Sequence, residues 1–374
     1  MKRILLLALL CVSFNAQALT INAKAYLLKD LNTGKVIMSK SENSYMPPAS
    51  TTKLMTLYIV FEEIKKGNLS LTERLTVSKT AYRKGGSKMF LEPGSKIRVV
   101  DLIKGIAVSS GNDASIVVAE KIAGSEKEFV KLMNKKAKEF GMTRTNFVNA
   151  TGWDNKGHLS TAKDLATLAE RVITDYPEYY RIFSLKSFKH NNIRQYNKNT
   201  LLGKYGVDGL KTGHVNSIGY NIVSSAKHKG TRYLVVLLGA KSKQARASEA
   251  VKLYKFAYEK YKFVNVVKQG QVIDQTKVFL GTVPYVDIVA KEDLNLSLTN
   301  NEFATLKAEY TFYPVKNAPV VYGDKIGTLN ITYKGQKKAI KVDLIANTTS
   351  QKVGFMEGLK EKVTYKFNNE YYIR

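Results

Sequence analysis

The sequence has almost no cysteine: its 374 residues include a single one, Cys11. Cys11 lies within residues 1–18, where a basic start precedes a short apolar run and the triplet Ala-Gln-Ala. These features are typical of a cleavable signal peptide, and we expect cleavage after Ala18. The mature chain then has no thiol, which excludes disulfides, thiol catalysis and cysteine-containing metal sites.

Long apolar runs are also absent. An uncleaved membrane anchor at residues 4–12 is the alternative to the signal peptide, but that run is too short to span a bilayer comfortably. No later stretch approaches ~18 uninterrupted apolar residues, so we expect no membrane-spanning segment after the signal. No internal repeat is recognisable either. The length of the chain predicts one large domain and a smaller one.

Acidic residues are scarce relative to basic ones. The chain has 59 Lys and Arg against 31 Asp and Glu, a formal charge of +28, which favours an anionic neighbour. The signal peptide and the even spread of basic residues argue against nucleic acid. Anionic phospholipid or a cell-wall polymer fits an exported protein better, and a solvated Lys-rich surface without a specific partner is an equally good interpretation.

Histidine is rare as well, with four residues in the chain. They form no HExxH pattern or paired-ligand spacing, which argues against a zinc peptidase. No serine lies in a GxSxG pattern, which argues against a Ser-His-Asp hydrolase. We expect neither a metal nor a cofactor.

Hydrophobic periodicity predicts the order of helices and strands. Apolar runs flank Asn32-Thr33-Gly34, which predicts a hairpin over residues 25–39. Helices are predicted from Ser50 to about residue 66, over about 113–123, and from residues 125, 161 and 242 onward. A second hairpin is predicted at residues 219–239. Strands at both ends with helices between them predict an α/β (α+β) domain over residues 19–262, with one sheet covered by helices.

The pattern changes at about residue 263. Short alternating apolar segments surround the turn Lys334-Gly335-Gln336, and helical spacing is almost absent. This pattern predicts a small all-β domain over residues 263–350.

The last segment, residues 351–374, has a third pattern. Apolar residues recur every four positions among lysines and an arginine: Phe355, Leu359, Val363, Phe367 and Tyr371. This spacing predicts an amphipathic helix that lies on an anionic membrane surface. A helix packed on its own domain and a frayed tail are the alternatives.

Ser50 and Lys53 form the first candidate catalytic pair. A serine hydroxyl is a poor nucleophile until a neighbouring base removes its proton, and residues three apart on a helix share one face. The amine of Lys53 can therefore reach the Ser50 hydroxyl. Taken alone the motif is weak, because a serine at a helix start is usually a cap.

Two further motifs can supply polar groups to the same cleft. Ser110-Gly111-Asn112 lies between two predicted helices, where a hydroxyl and an amide can relay a proton and hold a carbonyl, although an ordinary polar turn is the alternative. Lys211-Thr212-Gly213 is predicted to lie on a strand that faces a cleft. Lys and Thr can bind a carboxylate and Gly permits close approach, although a solvent-facing edge strand is the alternative.

The order SxxK, SxN, KTG after an export signal is much more specific than any one motif. The matching stretches are MPPASTTKLMT (46–56), MFLEPGS (89–95), SSGNDAS (109–115), GHLSTAKDLA (157–166), VDGLKTGH (207–214) and GYNIVSSA (219–226). In these stretches the sequence resembles the low-molecular-mass penicillin-binding proteins of the type-5 subgroup, which are D-alanyl-D-alanine carboxypeptidases. The resemblance covers essentially the whole mature chain and implies a penicillin-binding/β-lactamase-like domain.

The resemblance implies acyl transfer in two halves. Ser50 attacks the carbonyl between two D-alanines of a peptidoglycan stem peptide, and water then hydrolyses the acyl-enzyme. Lys53 is the implied general base, and the nearby charge of Lys211 would favour its neutral form. Ser110 passes the proton to the leaving amine, and the backbone N–H groups of Ser50 and His214 hold the oxyanion. For the His214 side chain, lining the site and having no role are equally good interpretations.

Substrate binding is implied for the remaining motif residues. Asn112 holds the acyl-side amide, Lys211 and Thr212 bind the terminal carboxylate, and Gly213 lets the substrate backbone approach. His158 belongs to a loop beneath the site, which we expect to be structural first. β-Lactam antibiotics are expected to acylate the enzyme, which would work in the periplasm, attached peripherally to the outer face of the inner membrane.

Three alternatives remain open. A class A β-lactamase shares the motifs but deacylates through a glutamate, and residues 153–165 contain none. A D,D-endopeptidase of the same superfamily usually lacks the second domain. An inactive cell-wall or membrane-binding scaffold is disfavoured by the intact motifs.

Overall fold

The computed structural model describes residues 19–313, 317–336 and 338–359. The predicted signal peptide, residues 1–18, and most of the predicted C-terminal amphipathic helix, residues 360–374, lie outside the described residues. Residues 355–359, which are described, are helical. Within the described ranges, every helix is too short or too polar to cross a membrane.

The chain alternates short strands with helices as far as residue 260 and is mostly β beyond it. The strands are β1 (Ala25–Asp30), β2 (Val36–Lys40), β3 (Arg74–Thr76), β4 (Lys96–Arg98), β5 (Ser187–His190), β6 (Ile193–Tyr196), β7 (Val207–Val215), β8 (Gly219–His228), β9 (Thr231–Ala240), β10 (Lys262–Val267), β11 (Val272–Lys277), β12 (Tyr285–Ala290), β13 (Leu294–Leu298), β14 (Lys307–Phe312), β15 (Lys325–Thr332) and β16 (Ile340–Ala346). The α-helices are α1 (Lys53–Lys65), α2 (Lys79–Arg83), α3 (Val99–Lys104), α4 (Asn112–Ala123), α5 (Glu126–Glu139), α6 (Ala162–Asp175), α7 (Pro177–Tyr180), α8 (Lys243–Lys260) and α9 (Asn300–Ala304).

Five antiparallel strands form the central sheet, in the order β2-β1-β9-β8-β7. Side chains alternate between its two faces. Ala25 and Leu27 of β1 pack into the core beneath α1 and the other helices up to α7. Tyr26 and Leu28 pack on the opposite face, in a second core to which α8 contributes Leu253. Helices thus cover both faces of the sheet, as the sequence predicts, and β1 is buried along most of its length.

The predicted helix from Ser50 is present, but its first turn is tighter than an α-helix. Residues Ala49–Thr52 form a 3₁₀ turn that continues directly into α1. The caps predicted for later helices are also present: the hydroxyls of Ser125 and Thr161 accept hydrogen bonds from backbone N–H groups at the starts of α5 and α6. The 3₁₀ turn matters because it carries the candidate nucleophile.

Two elements near the motifs were not predicted from the sequence. Residues Gly105–Ser109 form a π-helical turn after α3, a feature often found at functional sites. Strands β5 and β6 pair as a small hairpin of their own, and Gln195 of β6 donates a hydrogen bond of 3.1 Å to the Met89 carbonyl.

Beyond α8 the described chain is predominantly β, which confirms the predicted small all-β domain. A five-stranded sheet has the order β11-β12-β16-β15-β14, and β10 pairs with β13. These strands enclose a separate apolar core that includes Ile288, Leu329 and Leu344. The hydroxyl of Ser297 on β13 lies 3.0 Å from those of Thr231 and Tyr233 on β9, which joins this domain to the central sheet.

Candidate active site

Ser50 lies on a turn that is packed tightly against the edge of the central sheet. Asn221 on β8 donates hydrogen bonds of 3.0 and 3.3 Å to the carbonyls of Pro47 and Pro48. Strand β7 lies directly against the turn, because a Cβ added to Gly213 would be 3.1 Å from the Ser50 nitrogen. These contacts hold the backbone of the turn that carries Ser50 against the sheet.

Lys53 donates a hydrogen bond of 3.1 Å to the Ser50 hydroxyl. Its side chain is fully buried, and its amine also donates to the carbonyl of Thr151. Burial lowers the pKa of Lys53 well below its ordinary value, and the positive charge of Lys198 lowers that pKa further. A buried amine with this pKa can accept a proton from the serine hydroxyl.

Ser110 and Lys211 form a second buried pair. Lys211 donates hydrogen bonds of 3.0 Å to the Ser110 hydroxyl and to the Thr212 carbonyl. Burial lowers the pKa of Lys211 well below its ordinary value, and the next largest cause is the charge of Lys53. The two lysines therefore lie close enough to repel one another. From the sequence, we expected the charge of Lys211 to favour the neutral form of Lys53. In the structure, burial is the largest cause of the lowered pKa of Lys53.

The backbone at Ser110 is unusual. It follows the π-helical turn and has a φ of +66°, in the left-handed region, which is unfavourable for a residue other than glycine. Such a conformation persists only where surrounding contacts require it. Here it directs the hydroxyl of Ser110 to Lys211.

Asn112 is the first residue of α4. Its side-chain nitrogen donates a hydrogen bond of 2.7 Å to the Gly85 carbonyl. Its side-chain oxygen is buried and has no hydrogen-bond partner among the described residues. An unpaired buried acceptor is costly, and a substrate N–H would satisfy it.

Residues 211–214 of β7 form one wall of the site. Lys211 and Thr212 are buried, whereas His214 is exposed and its ring lies 4.2 Å from that of Tyr220, centre to centre. Gly213 has no space for a side chain, because a Cβ there would lie 2.9 Å from the Cβ of Ala49. Although β7 is an edge strand of the sheet, the 3₁₀ turn covers it, so it is not a solvent-facing edge at this position.

A cleft of about 300 Å³ opens where these elements meet. Among its lining residues are Ser50, Asn112, Trp153 and His214. Trp153 is half-exposed on the rim of the cleft. Its ring packs against Gly86, where an added Cβ would lie 2.6 Å from the ring. A larger groove of about 650 Å³ adjoins the cleft, but its lining contains none of the candidate catalytic side chains.

His158 lies beneath the site and is not among the residues that line the cleft. Its Nδ1 accepts a hydrogen bond of 2.9 Å from the backbone N–H of Val148, and its Nε2 lies 2.8 Å from the Thr52 hydroxyl. Burial lowers its pKa to about 4, with a smaller contribution from the charge of Lys53. A neutral ring that donates from Nε2 satisfies both contacts. His158 thus connects its loop to the turn that carries Ser50.

Arg246 is a residue that the sequence-based reasoning missed. It lies on α8, is almost fully buried, and donates a hydrogen bond of 3.0 Å to the Lys198 carbonyl. Its Nε has no partner among the described residues. Burial lowers its pKa to about 10, and its charge contributes to the lowered pKa of Lys211. An unpaired guanidinium nitrogen whose charge is felt at Lys211 is suited to an anionic ligand.

Comparisons with known families agree with the motifs. Residues 12–242 match the family model described as D-alanyl-D-alanine carboxypeptidase, and residues 261–352 match that of the penicillin-binding protein 5 C-terminal domain. D-alanyl-D-alanine carboxypeptidase DacC of Escherichia coli (strain K12) is 36% identical over 361 residues, which cover 94% of this chain and 90% of the relative.

Solved structures give the same result. Penicillin-binding protein 5 of Haemophilus influenzae is 32% identical with a TM-score of 0.76, and the match covers 89% of this chain and 98% of that one. Penicillin-binding protein D2 of Listeria monocytogenes, solved in an ampicillin-bound form, is 30% identical with a TM-score of 0.58 and covers 63% of this chain and 98% of its own.

Proposed function

The chain belongs to the D-alanyl-D-alanine carboxypeptidase family, and on this basis we propose that it removes the terminal D-alanine of peptidoglycan stem peptides through an acyl-enzyme on Ser50. The observation that carries the proposal is the presence of two lysine–serine pairs, Lys53 with Ser50 and Lys211 with Ser110. Together they supply a base, a nucleophile and a proton relay.

Acylation begins when Lys53 accepts the proton of the Ser50 hydroxyl. The oxygen then attacks the carbonyl between the two D-alanines, and the developing negative charge rests on the backbone N–H groups of Ser50 and His214. Donors of this kind stabilise a transition state by ~3 kcal/mol each. The low pKa of Lys53 supports this role, because a charged amine cannot accept a proton.

The leaving amine needs a proton before D-alanine can depart. Ser110 donates its hydroxyl proton to that amine, and the proton that Lys53 took from Ser50 replaces it on Ser110. Meanwhile the unpaired oxygen of Asn112 accepts a hydrogen bond from the acyl-side amide. Water then attacks the ester on Ser50 and releases the shortened peptide.

Binding of the free carboxylate of the substrate restricts cleavage to the carboxyl-terminal residue. Lys211, Thr212 and Arg246 receive it at the end of the site where cations accumulate. Without substrate, burial favours the neutral form of Lys211. An arriving carboxylate adds the opposite charge, which raises that pKa and favours the charged form of Lys211.

β-Lactams acylate Ser50 by the same route, as the ampicillin-bound relative suggests. The protein acts in the periplasm, and residues 351–374 hold it on the anionic outer face of the inner membrane. The β domain, residues 263–350, separates the active site from that surface.

One experiment tests the activity. Purified mature protein is incubated with a fluorescent penicillin and, separately, with a pentapeptide that ends in D-Ala-D-Ala. Stable labelling that Ser50→Ala abolishes, together with release of D-alanine, is the expected result. Rapid turnover of penicillin would indicate a β-lactamase, and an absence of labelling would indicate a scaffold; either result overturns the proposal.

A further inference from the structure

Asn149 organises the loop that supplies an acceptor to Lys53. Its side-chain oxygen accepts hydrogen bonds from the backbone N–H groups of Thr151, Gly152 and Trp153 at 3.1, 2.7 and 3.0 Å. The Thr151 hydroxyl donates to the same oxygen at 3.0 Å. The side-chain nitrogen of Asn149 donates to the Trp153 carbonyl at 2.9 Å. One amide thus pairs with every backbone N–H group of residues 151–153.

The opposite side of this turn is fixed by the nucleophile's own segment. Gly152 has a φ of +75°, and a Cβ there would lie 1.8 Å from the Ala49 carbonyl oxygen and 2.9 Å from the Ser50 nitrogen. The loop is therefore held between the Asn149 amide and the 3₁₀ turn, and its backbone cannot shift towards Ala49.

The Thr151 carbonyl lies at the centre of this arrangement. It accepts a hydrogen bond from the amine of Lys53, which also donates to Ser50. Because Lys53 is fully buried, its amine depends on protein acceptors, and a displaced carbonyl would let its flexible side chain rotate away from the hydroxyl.

We infer that Asn149 is a positioning residue for acylation: it fixes the Thr151 carbonyl, which aims the Lys53 amine at Ser50. The inference rests on the proposed function, since it concerns how the base of that reaction is held. It adds a requirement that lies in none of the three motifs.

Two substitutions separate positioning from a merely structural role. Asn149→Ala removes the acceptor and frees the loop. Asn149→Asp keeps the oxygen that accepts from residues 151–153, loses the hydrogen bond to the Trp153 carbonyl, and adds a negative charge that the N–H donors of residues 151–153 favour. That charge favours protonated Lys53, so acylation should require a higher pH. The charged groups that already act on Lys53 are Lys198, Asp113, Lys84 and Glu126, with Lys211 beside it.

Asn134 offers a matched control, because its side-chain amide also makes hydrogen bonds to loop backbone. It accepts from the Phe147 N–H and donates to the Phe147 carbonyl, both at 2.8 Å. It contacts neither Lys53 nor the turn of residues 149–153 in these bonds. Asn134→Asp and Asn134→Ala therefore report what loss of a loop-bridging amide does by itself.

The measurement is the second-order rate constant for labelling of Ser50 by fluorescent penicillin, followed against pH in the intact mature protein. We expect Asn149→Ala to lower the rate about a hundredfold at every pH. For Asn149→Asp we expect the acidic limb of the profile to move to higher pH while the rate on the alkaline plateau stays within about tenfold of the unmodified protein. The Asn134 variants should keep the original profile.

Two results would overturn the inference. One is a profile for Asn149→Asp that coincides with that of the unmodified protein, and the other is an equal loss in the Asn134 variants. Should Asn149→Ala fail to fold, Asn149→Asp, which has nearly the same shape, decides the question by its pH profile. Labelling of the unmodified protein tests the proposed function separately, because it does not depend on residue 149.

Discussion

Ser110 and Lys211, which are 101 positions apart in the sequence, are joined by a buried hydrogen bond of 3.0 Å. We expect Ser110→Ala to slow the release of D-alanine by about two to four orders of magnitude, because the relay that protonates the leaving amine is lost. Turnover of a pentapeptide measures this effect. Ser109→Ala is the control, since the Ser109 hydroxyl is also buried but donates to the Gly105 carbonyl of its own helical turn. Equal losses in both variants would contradict a relay.

The pH dependence of acylation should follow Lys53. Its pKa lies well below 10.5 in the folded protein, and the base must be neutral to act. The rate of penicillin labelling should therefore rise as pH increases through the lowered pKa and reach its plateau far below pH 10.5. A limb near the ordinary lysine value would contradict this account. Lys53→Arg, which stays charged, should be slower by roughly two to four orders of magnitude at every pH.

His158 should make the protein less stable in acid. Its pKa is lowered from 6.5 to about 4 in the folded state, so between these values the unfolded chain binds a proton that the folded protein does not. The free energy of unfolding should therefore fall by about 3 kcal/mol as pH decreases from 6.5 to 4. Urea denaturation at several pH values measures it. His158→Gln should lose this part of the pH dependence, and an unchanged difference between the two pH values would refute the assignment.

Gly213 should tolerate no side chain. A Cβ there would lie 2.9 Å from that of Ala49 and 3.1 Å from the Ser50 nitrogen, so Gly213→Ala should push β7 away from the nucleophile and slow labelling about a hundredfold. Gly354→Ala is the control, because a Cβ at Gly354 meets nothing within 4 Å and the backbone there is not left-handed. Labelling rates for the two variants decide the matter, and similar rates would show that the close approach of β7 is unimportant.

The C-terminal segment, residues 351–374, should control membrane attachment without affecting acylation. A chain that ends at residue 350 should no longer sediment with vesicles that contain anionic lipid, whereas its rate of labelling by penicillin should stay unchanged. Vesicles of neutral lipid should bind the full mature chain weakly. Retention of the shortened chain on anionic vesicles would assign membrane binding to another part of the surface.

Local features were predictable from the sequence to a useful degree. The spacing of Ser50 and Lys53 is sufficient to bring them together, because residues three apart lie on the same face of either a 3₁₀ helix or an α-helix. The hairpin of β8 and β9 and the small β domain follow from alternation of apolar residues. The convergence of Ser110 with Lys211 could not be obtained from spacing and was expected only from the family resemblance.

Residues that act through long-range packing gave no local signal. Arg246 is one of 59 basic residues in the chain, and only the packing of α8 on the sheet brings it near Lys211. Asn149 resembles any other loop asparagine in the sequence. The requirement for Gly152 appears only once the loop is placed against the Ala49 carbonyl. Such residues are identified by the space and the partners around them.

Trp153 is the only tryptophan of the chain and stands half-exposed on the rim of the cleft beside Gly86. The intrinsic fluorescence of the protein near the indole band therefore originates at the mouth of the active site. Arrival and departure of a ligand can be followed optically in the unlabelled enzyme, with no dye attached and no background from other indoles.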